Sequence, residues 1–160
     1  YTMLVTTHVM VAASLGVILA PSHPWLAFVL GLASHLMIDI IPHGHSALYK
    51  AYKQGERVNQ AHAYTGIDAA CAVIATAWIL NQPLVDGART VVFWAMVGGV
   101  LPDILVGIRE YLNVLALERF RKIHFFFHDL LIKRYGDVPF LMGLGIEATV
   151  IVALVAIVWR

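Results

Sequence analysis

Residues 2–39 read TMLVTTHVMVAASLGVILAPSHPWLAFVLGLASHLMID, and no Asp, Glu, Lys or Arg occurs before Asp39; the first Lys or Arg is Lys50. A single bilayer crossing takes about 20 apolar residues, so this stretch is long enough for nearly two, with Pro21 and Pro24 marking the turn between them. Working outward, further apolar runs cover 66–82, 89–108 and 139–159. The expected fold is therefore an all-α integral membrane protein, one domain over 1–160, with five spans at 2–20, 23–42, 66–82, 89–108 and 139–159. The segment 110–134 alternates Leu, Phe and Ile with Arg, Lys and Glu, which predicts an amphipathic helix on the membrane surface rather than a sixth span. A cleaved signal peptide fits the first run poorly, since it has no Lys or Arg ahead of it and passes directly into a second apolar run.

Composition supports this reading. Of the 160 residues, 60% are hydrophobic and 13% are charged, where a soluble domain carries about a quarter charged residues. That excludes an ordinary soluble enzyme and a disordered tail. A single cysteine, Cys71, excludes a disulfide scaffold. The net charge of +1 supplies no basic field for nucleic acid, so membrane lipid is the expected partner, with a protein partner or homo-oligomer left open.

Orientation follows from the basic residues. With five spans, the loops at 43–65 and 109–138 share the side of the N-terminus. They hold Lys50, Lys53, Arg57, Arg109, Arg119, Arg121, Lys122, Lys133 and Arg134, against Arg89 and Arg160 on the other side. The positive-inside rule then puts the N-terminus in the cytoplasm and the C-terminus outside the cytoplasmic membrane.

Asp39, Asp68, Asp103 and Glu147 fall within or at the edge of these spans, and none has an intramembrane Lys or Arg to pair with. A carboxylate at mid-bilayer costs about 2.5 to 3.5 kcal/mol, so such groups call for protons or bound cations. Odd spans begin and even spans end on the cytoplasmic side, which places His8, His35, Asp39, Asp68 and Asp103 in one layer. His35 and Asp39 are one helical turn apart, and His124 and His128 repeat that spacing on the surface helix. Mixed imidazole and carboxylate ligands suit zinc, manganese or iron, as one or two divalent ions. Each residue also has an ordinary alternative: His8 as an interhelical hydrogen-bonding group, Asp39 as a cap before Pro42, Asp68 at the positive end of its own helix. Glu147 lies deeper and off the layer, Phe125, Phe126 and Phe127 read as interfacial anchors, and Pro102 breaks the end of the fourth span beside Asp103.

Thr7-His8 followed by small residues to Gly16, the stretch Ser34, His35, Asp39, Pro42 and His43, and the GVLPD run from Gly99 to Asp103 resemble the YdjM-like family of membrane-bound metal-dependent hydrolases of bacteria and archaea. The resemblance covers the first, second and fourth spans. It implies hydrolysis at a His/Asp metal site. The His-Arg-Gly and Thr-His-Ser element common in that family has no counterpart here, and His124 and His128 stand in its place.

The expected function is metal-dependent hydrolysis at the cytoplasmic leaflet, on a lipid-linked phosphoester. His8, His35, Asp39, Asp68, Asp103, His124 and His128 are the candidate ligands. His43 and His45, in a loop where imidazole titrates near neutrality, are the candidate general acid and base. Arg119, Arg121 and Lys122 are the candidate phosphate-binding residues, with His124 and His128 closing the mouth as a lid. Two readings from other classes stay open: a non-enzymatic membrane subunit whose histidines ligate haem or a chlorophyll-type pigment, and an ion or proton pathway.

Overall fold

The computed structural model describes residues 3–19 and 23–159. It is helical in the order α1 (Val5–Leu19), α2 (Pro24–Ile38), α3 (Ser46–Lys53), α4 (Val58–Leu80), α5 (Ala88–Leu112), a 3-10 turn (Leu115–Leu117), α6 (Glu118–Tyr135) and α7 (Phe140–Val158). Three of the five expected spans, α4, α5 and α7, are helices long and apolar enough to cross a membrane. The first two differ: α1 and α2 have 15 residues each. That is about 22 Å of helix at 1.5 Å per residue, short of a hydrocarbon core of about 30 Å. The expected second span runs past the end of α2 into Ile40 and Ile41, which are not helical, and residues 20–22 between the two helices lie outside the described residues. Conversely, α4 begins at Val58 rather than 66, because the polar sequence VNQAHAYTG is helical although its hydropathy is low. Pro102 does not end α5, which continues ten residues further to Leu112.

α1 is the central helix, packed on α2, α4, α5 and α7. Small residues make this possible. A Cβ at Gly31 or Gly98 would run into the backbone of the facing helix across the α2–α5 contact, and one at Gly99 would meet Ala12 of α1. Val9, Met10, Ala13, Ala72, Ile79, Val92, Met96 and Trp159 form the main apolar cluster. Outside it, Ile18, Met37, Ile67, Val73, Ile74, Val152 and Ile157 are all more than 60% exposed. Apolar residues on the outside of spanning helices face lipid rather than water.

The ends of the bundle are defined by contacts. At one end His62 of α4 lies against Tyr111 of α5, and Tyr64 against Phe140 of α7. At the other end Trp78 meets Trp159, whose indole donates to Ser14 Oγ at 3.0 Å. The first end carries α3, α6, every described Lys and Arg except Arg89, and the site.

Candidate metal centre

The start of α1 supplies His8, the end of α2 supplies His35 and Asp39, the second half of α5 supplies Asp103, and α6 lies across them with His124. The α2–α5 approach that the glycines allow brings the Gly99 carbonyl to 2.7 Å from His35 Nδ1. Nδ1–H therefore donates outward, which leaves the Nε2 lone pair facing the two carboxylates. His35 Nε2 lies 3.2 Å from Asp39 Oδ2 and 3.8 Å from Asp103 Oδ1. His124 Nε2 lies 3.5 and 4.0 Å from the same two oxygens. His8 Nε2 approaches the opposite oxygens, Asp39 Oδ1 at 3.2 Å and Asp103 Oδ2 at 3.8 Å. Each carboxylate thus turns one oxygen toward His8 and the other toward His35 and His124.

These separations match donors around a cation. Ligand atoms at about 2.1 Å from one ion are about 3.0 Å apart along an octahedral edge and about 3.4 Å along a tetrahedral one. Ligand atoms of His35, Asp39, Asp103 and His124 all lie within 4.8 Å of one another. The site is deeply buried, with Asp39 and all three histidines at 0 to 1% exposure. Both nitrogens of His8 and His124, Nε2 of His35 and all four oxygens of Asp39 and Asp103 have no hydrogen-bond partner among the described residues. Folded proteins keep such orphaned polar atoms to a few, so a concentration of them in one pocket marks donors arranged for a ligand. The charge fits as well: Asp39 and Asp103 pair with no Lys or Arg among the described residues, and two carboxylates are neutralised by one divalent ion. Burial pushes the pKa of His124 down to about 4 despite the raising influence of Asp39 and Asp103, which keeps the imidazole in its neutral, ligating form.

Asp68 does not join this group. Its carboxylate accepts from Val5 N at 2.7 Å, Thr6 N at 3.1 Å and Thr6 Oγ1 at 2.7 Å, capping α1 from the neighbouring helix. The donors are the unsatisfied N–H groups of a helix start, which attract a carboxylate through both hydrogen bonds and the helix dipole.

A second layer of histidines lies beside the first. His43 and His45 are buried rather than solvated, and burial pushes the pKa of His43 down to about 4, so it does not titrate near neutrality. The His43 ring stands 4.9 Å from that of His128 and 5.1 Å from that of His45. Its Nδ1 is held by the Ile41 carbonyl at 2.8 Å, while Nε2 is unpartnered among the described residues. His128 Nδ1 is held by Asp129 at 2.9 Å, and His45 Nε2 by the Tyr64 hydroxyl at 2.6 Å. His128 therefore sits with this layer, its ring 6.4 Å from that of His124. Asp137 fixes the loop by accepting from Gly44 N at 2.9 Å and Ser46 N at 3.0 Å. Glu147 also reaches this layer: Oε2 accepts from Leu4 N at 3.1 Å, and Oε1 lies 3.9 Å from His45 Nδ1. Tyr64, Asp129, Asp137 and the Gly99 carbonyl are positioning groups that sequence reasoning missed. Only the acid directly after His128 offered a signal.

α6 docks through its histidines rather than through its apolar residues. Its buried residues are His124 and His128, while Ile123, Phe126 and Leu130 are 45 to 62% exposed beside the exposed Arg119 and Lys122. Arg121 is already engaged: it bonds Glu118 at 2.7 Å and lies 3.8 Å from Glu110. Glu118, held by Arg121 and Arg109, has its pKa lowered to about 2. Of the three cations expected to bind phosphate, Arg119 and Lys122 have exposed side chains, and Arg121 is committed to acids.

Comparison with protein families, with characterised proteins and with solved structures finds no match to this chain.

Proposed function

We propose that this chain is a metal-dependent hydrolase of the cytoplasmic membrane, acting at the cytoplasmic leaflet on a lipid-linked phosphoester. The observation that carries the reading is the buried set His8, His35, Asp39, Asp103 and His124, whose inward nitrogens and oxygens lie at the separations of ligands to a common cation. Zinc, manganese or iron suits these donors, and the division of each carboxylate between His8 on one side and His35 with His124 on the other accommodates two ions. A bound divalent metal supplies a lowered pKa for water and stabilisation of negative charge on a phosphoryl oxygen. The chain itself positions the donors: Gly99 orients His35, and α6 seals His124 over the pocket. His45, oriented by the Tyr64 hydroxyl, stands next in line to hold or pass a proton.

In the proposed topology α1 and α2 form the first two passes, the N-terminus is cytoplasmic and the C-terminus is outside. The orientation is the same for a helix pair that crosses and for one that turns back inside the bilayer, since either returns the chain to its starting side. Arg160, counted on the outer side, lies outside the described residues. The pigment alternative is disfavoured by the His8 and His35 rings, stacked at 3.8 Å with 21° between their planes, which leaves no space for a macrocycle between them.

The test is phosphate release from phosphatidic acid by protein reconstituted with zinc, manganese or iron. Activity that needs one of these metals and falls by a factor of about 1000 or more in Asp103→Ala supports the proposal. Equal release by the folded variant and the wild type contradicts it.

A further inference from the structure

α4 packs on α1 and α3, and α5 packs on α1 and α2, so the two spanning helices are held apart. Between them lies a cavity of about 670 Å³. Its lining runs along α4 from Tyr64 to Ala77, about 20 Å of helix at 1.5 Å per residue, and faces Val100 to Tyr111 of α5. A gap of this length has room for an extended hydrocarbon chain.

We propose that this gap is the binding groove for the hydrocarbon tail of the substrate lipid, which enters sideways from the bilayer with its phosphate end at Asp103. The proposal rests on the hydrolase reading and names how that site takes a membrane substrate. Three observations carry it. Asp103 belongs both to the metal cluster and to the groove wall, and its side chain is 9% exposed where that of Asp39 is 0%, so the centre opens to the groove at this residue. Away from Asp103 the wall is mostly apolar and small, with Val9, Ala69, Ala72, Val73 and Val100 beside Thr65, Thr76 and the Asp68 that caps α1. The site end is roofed by Tyr49 and Tyr52 of α3 and Phe125 of α6, with Lys53 bonded to Glu110 across it. The remaining opening is lateral, flanked by Val73 at 69% and Ile104 at 51% exposure on faces that look into lipid.

The experiment uses palmityl phosphate with a photoreactive diazirine at its chain end, in phosphatidylcholine vesicles holding the metal-loaded protein. Adducts should concentrate on groove residues of α4 and α5, and excess plain palmityl phosphate should compete that labelling away. A Cβ at Gly107, on the α5 wall, meets open space, as does one at Gly145 on α7. Gly107→Phe should therefore cut groove labelling at least about tenfold with metal content unchanged, while Gly145→Phe leaves it intact. Adducts spread evenly over the outer helix faces, or equal groove labelling by the palmityl alcohol probe, would mean bulk lipid and overturn the proposal. Groove labelling without hydrolysis by the loaded protein retains the groove and rejects the hydrolase reading. Hydrolysis of phosphatidic acid at an unchanged rate in Gly107→Phe, with no groove labelling, rejects the groove alone.

Discussion

Replacing Asp68 by alanine should destabilise the fold without removing metal. The carboxylate takes two backbone N–H groups and one hydroxyl at the start of α1. Substituting a capping residue costs about 0.5 to 2 kcal/mol, and each hydrogen bond to a charged group is worth about 1.5 to 3 kcal/mol. Val5 and Thr6 are only partly buried, so water recovers some of the loss, and about 2 to 4 kcal/mol is expected. Asp68→Asn keeps an acceptor but not the charge, and should fall about halfway. Denaturant unfolding in mixed micelles reads the stability, and elemental analysis of the folded fraction reads the metal. Loss of metal from a folded Asp68→Ala protein whose stability is unchanged would refute the assignment, because it would make Asp68 a ligand rather than a cap.

Tyr64→Phe removes only the hydroxyl that holds His45 Nε2, and should lower turnover of phosphatidic acid about 10- to 100-fold at unchanged fold, measured by phosphate release. Asp137 is opposed by burial, but its hydrogen bonds from Ser46, Gly44 and Val138 prevail and hold its pKa below the usual value. Its contribution to stability is therefore complete above the unfolded value near 3.9 and is lost as pH falls through the lower folded value; unfolding from pH 6 to pH 2 should show this loss in the wild type and not in Asp137→Asn. For topology, with Cys71 replaced by alanine, a cysteine at position 86 should react with an impermeant thiol reagent added to intact cells and one at position 122 should not; the reverse pattern would invert the orientation.

Most of the candidate metal centre was legible because ionisable residues are rare in apolar helices. His8, His35, Asp39 and Asp103 stand out against their surroundings, and one rule of alternating direction puts them at a common depth. Depth does not give direction. Asp68 has the right level, yet which way it points depends on α1 starting beside α4, a tertiary fact without a local signal. Glu147 was placed too deep because α7's register against Leu4 and His45 is likewise not local. The lengths of α1 and α2 were overread since hydropathy counts Ile40 and Ile41 whether or not they are helical, and α4 was underread where its first turns are polar. The buried face of α6 is set by its histidines rather than by its apolar residues: burying His124 over two carboxylates leaves Ile123 and Phe126 outside.

The most direct test of the account is X-ray absorption at the metal edge on detergent-purified protein supplied with zinc, manganese or iron, combined with elemental analysis of the same sample. The expected result is one or two bound ions per chain, a shell of nitrogen and oxygen at about 2.0 to 2.2 Å with the outer scattering of imidazole, and loss of that signal in folded Asp39→Ala. No retained metal after such loading, or identical spectra from the wild type and Asp39→Ala, would contradict it.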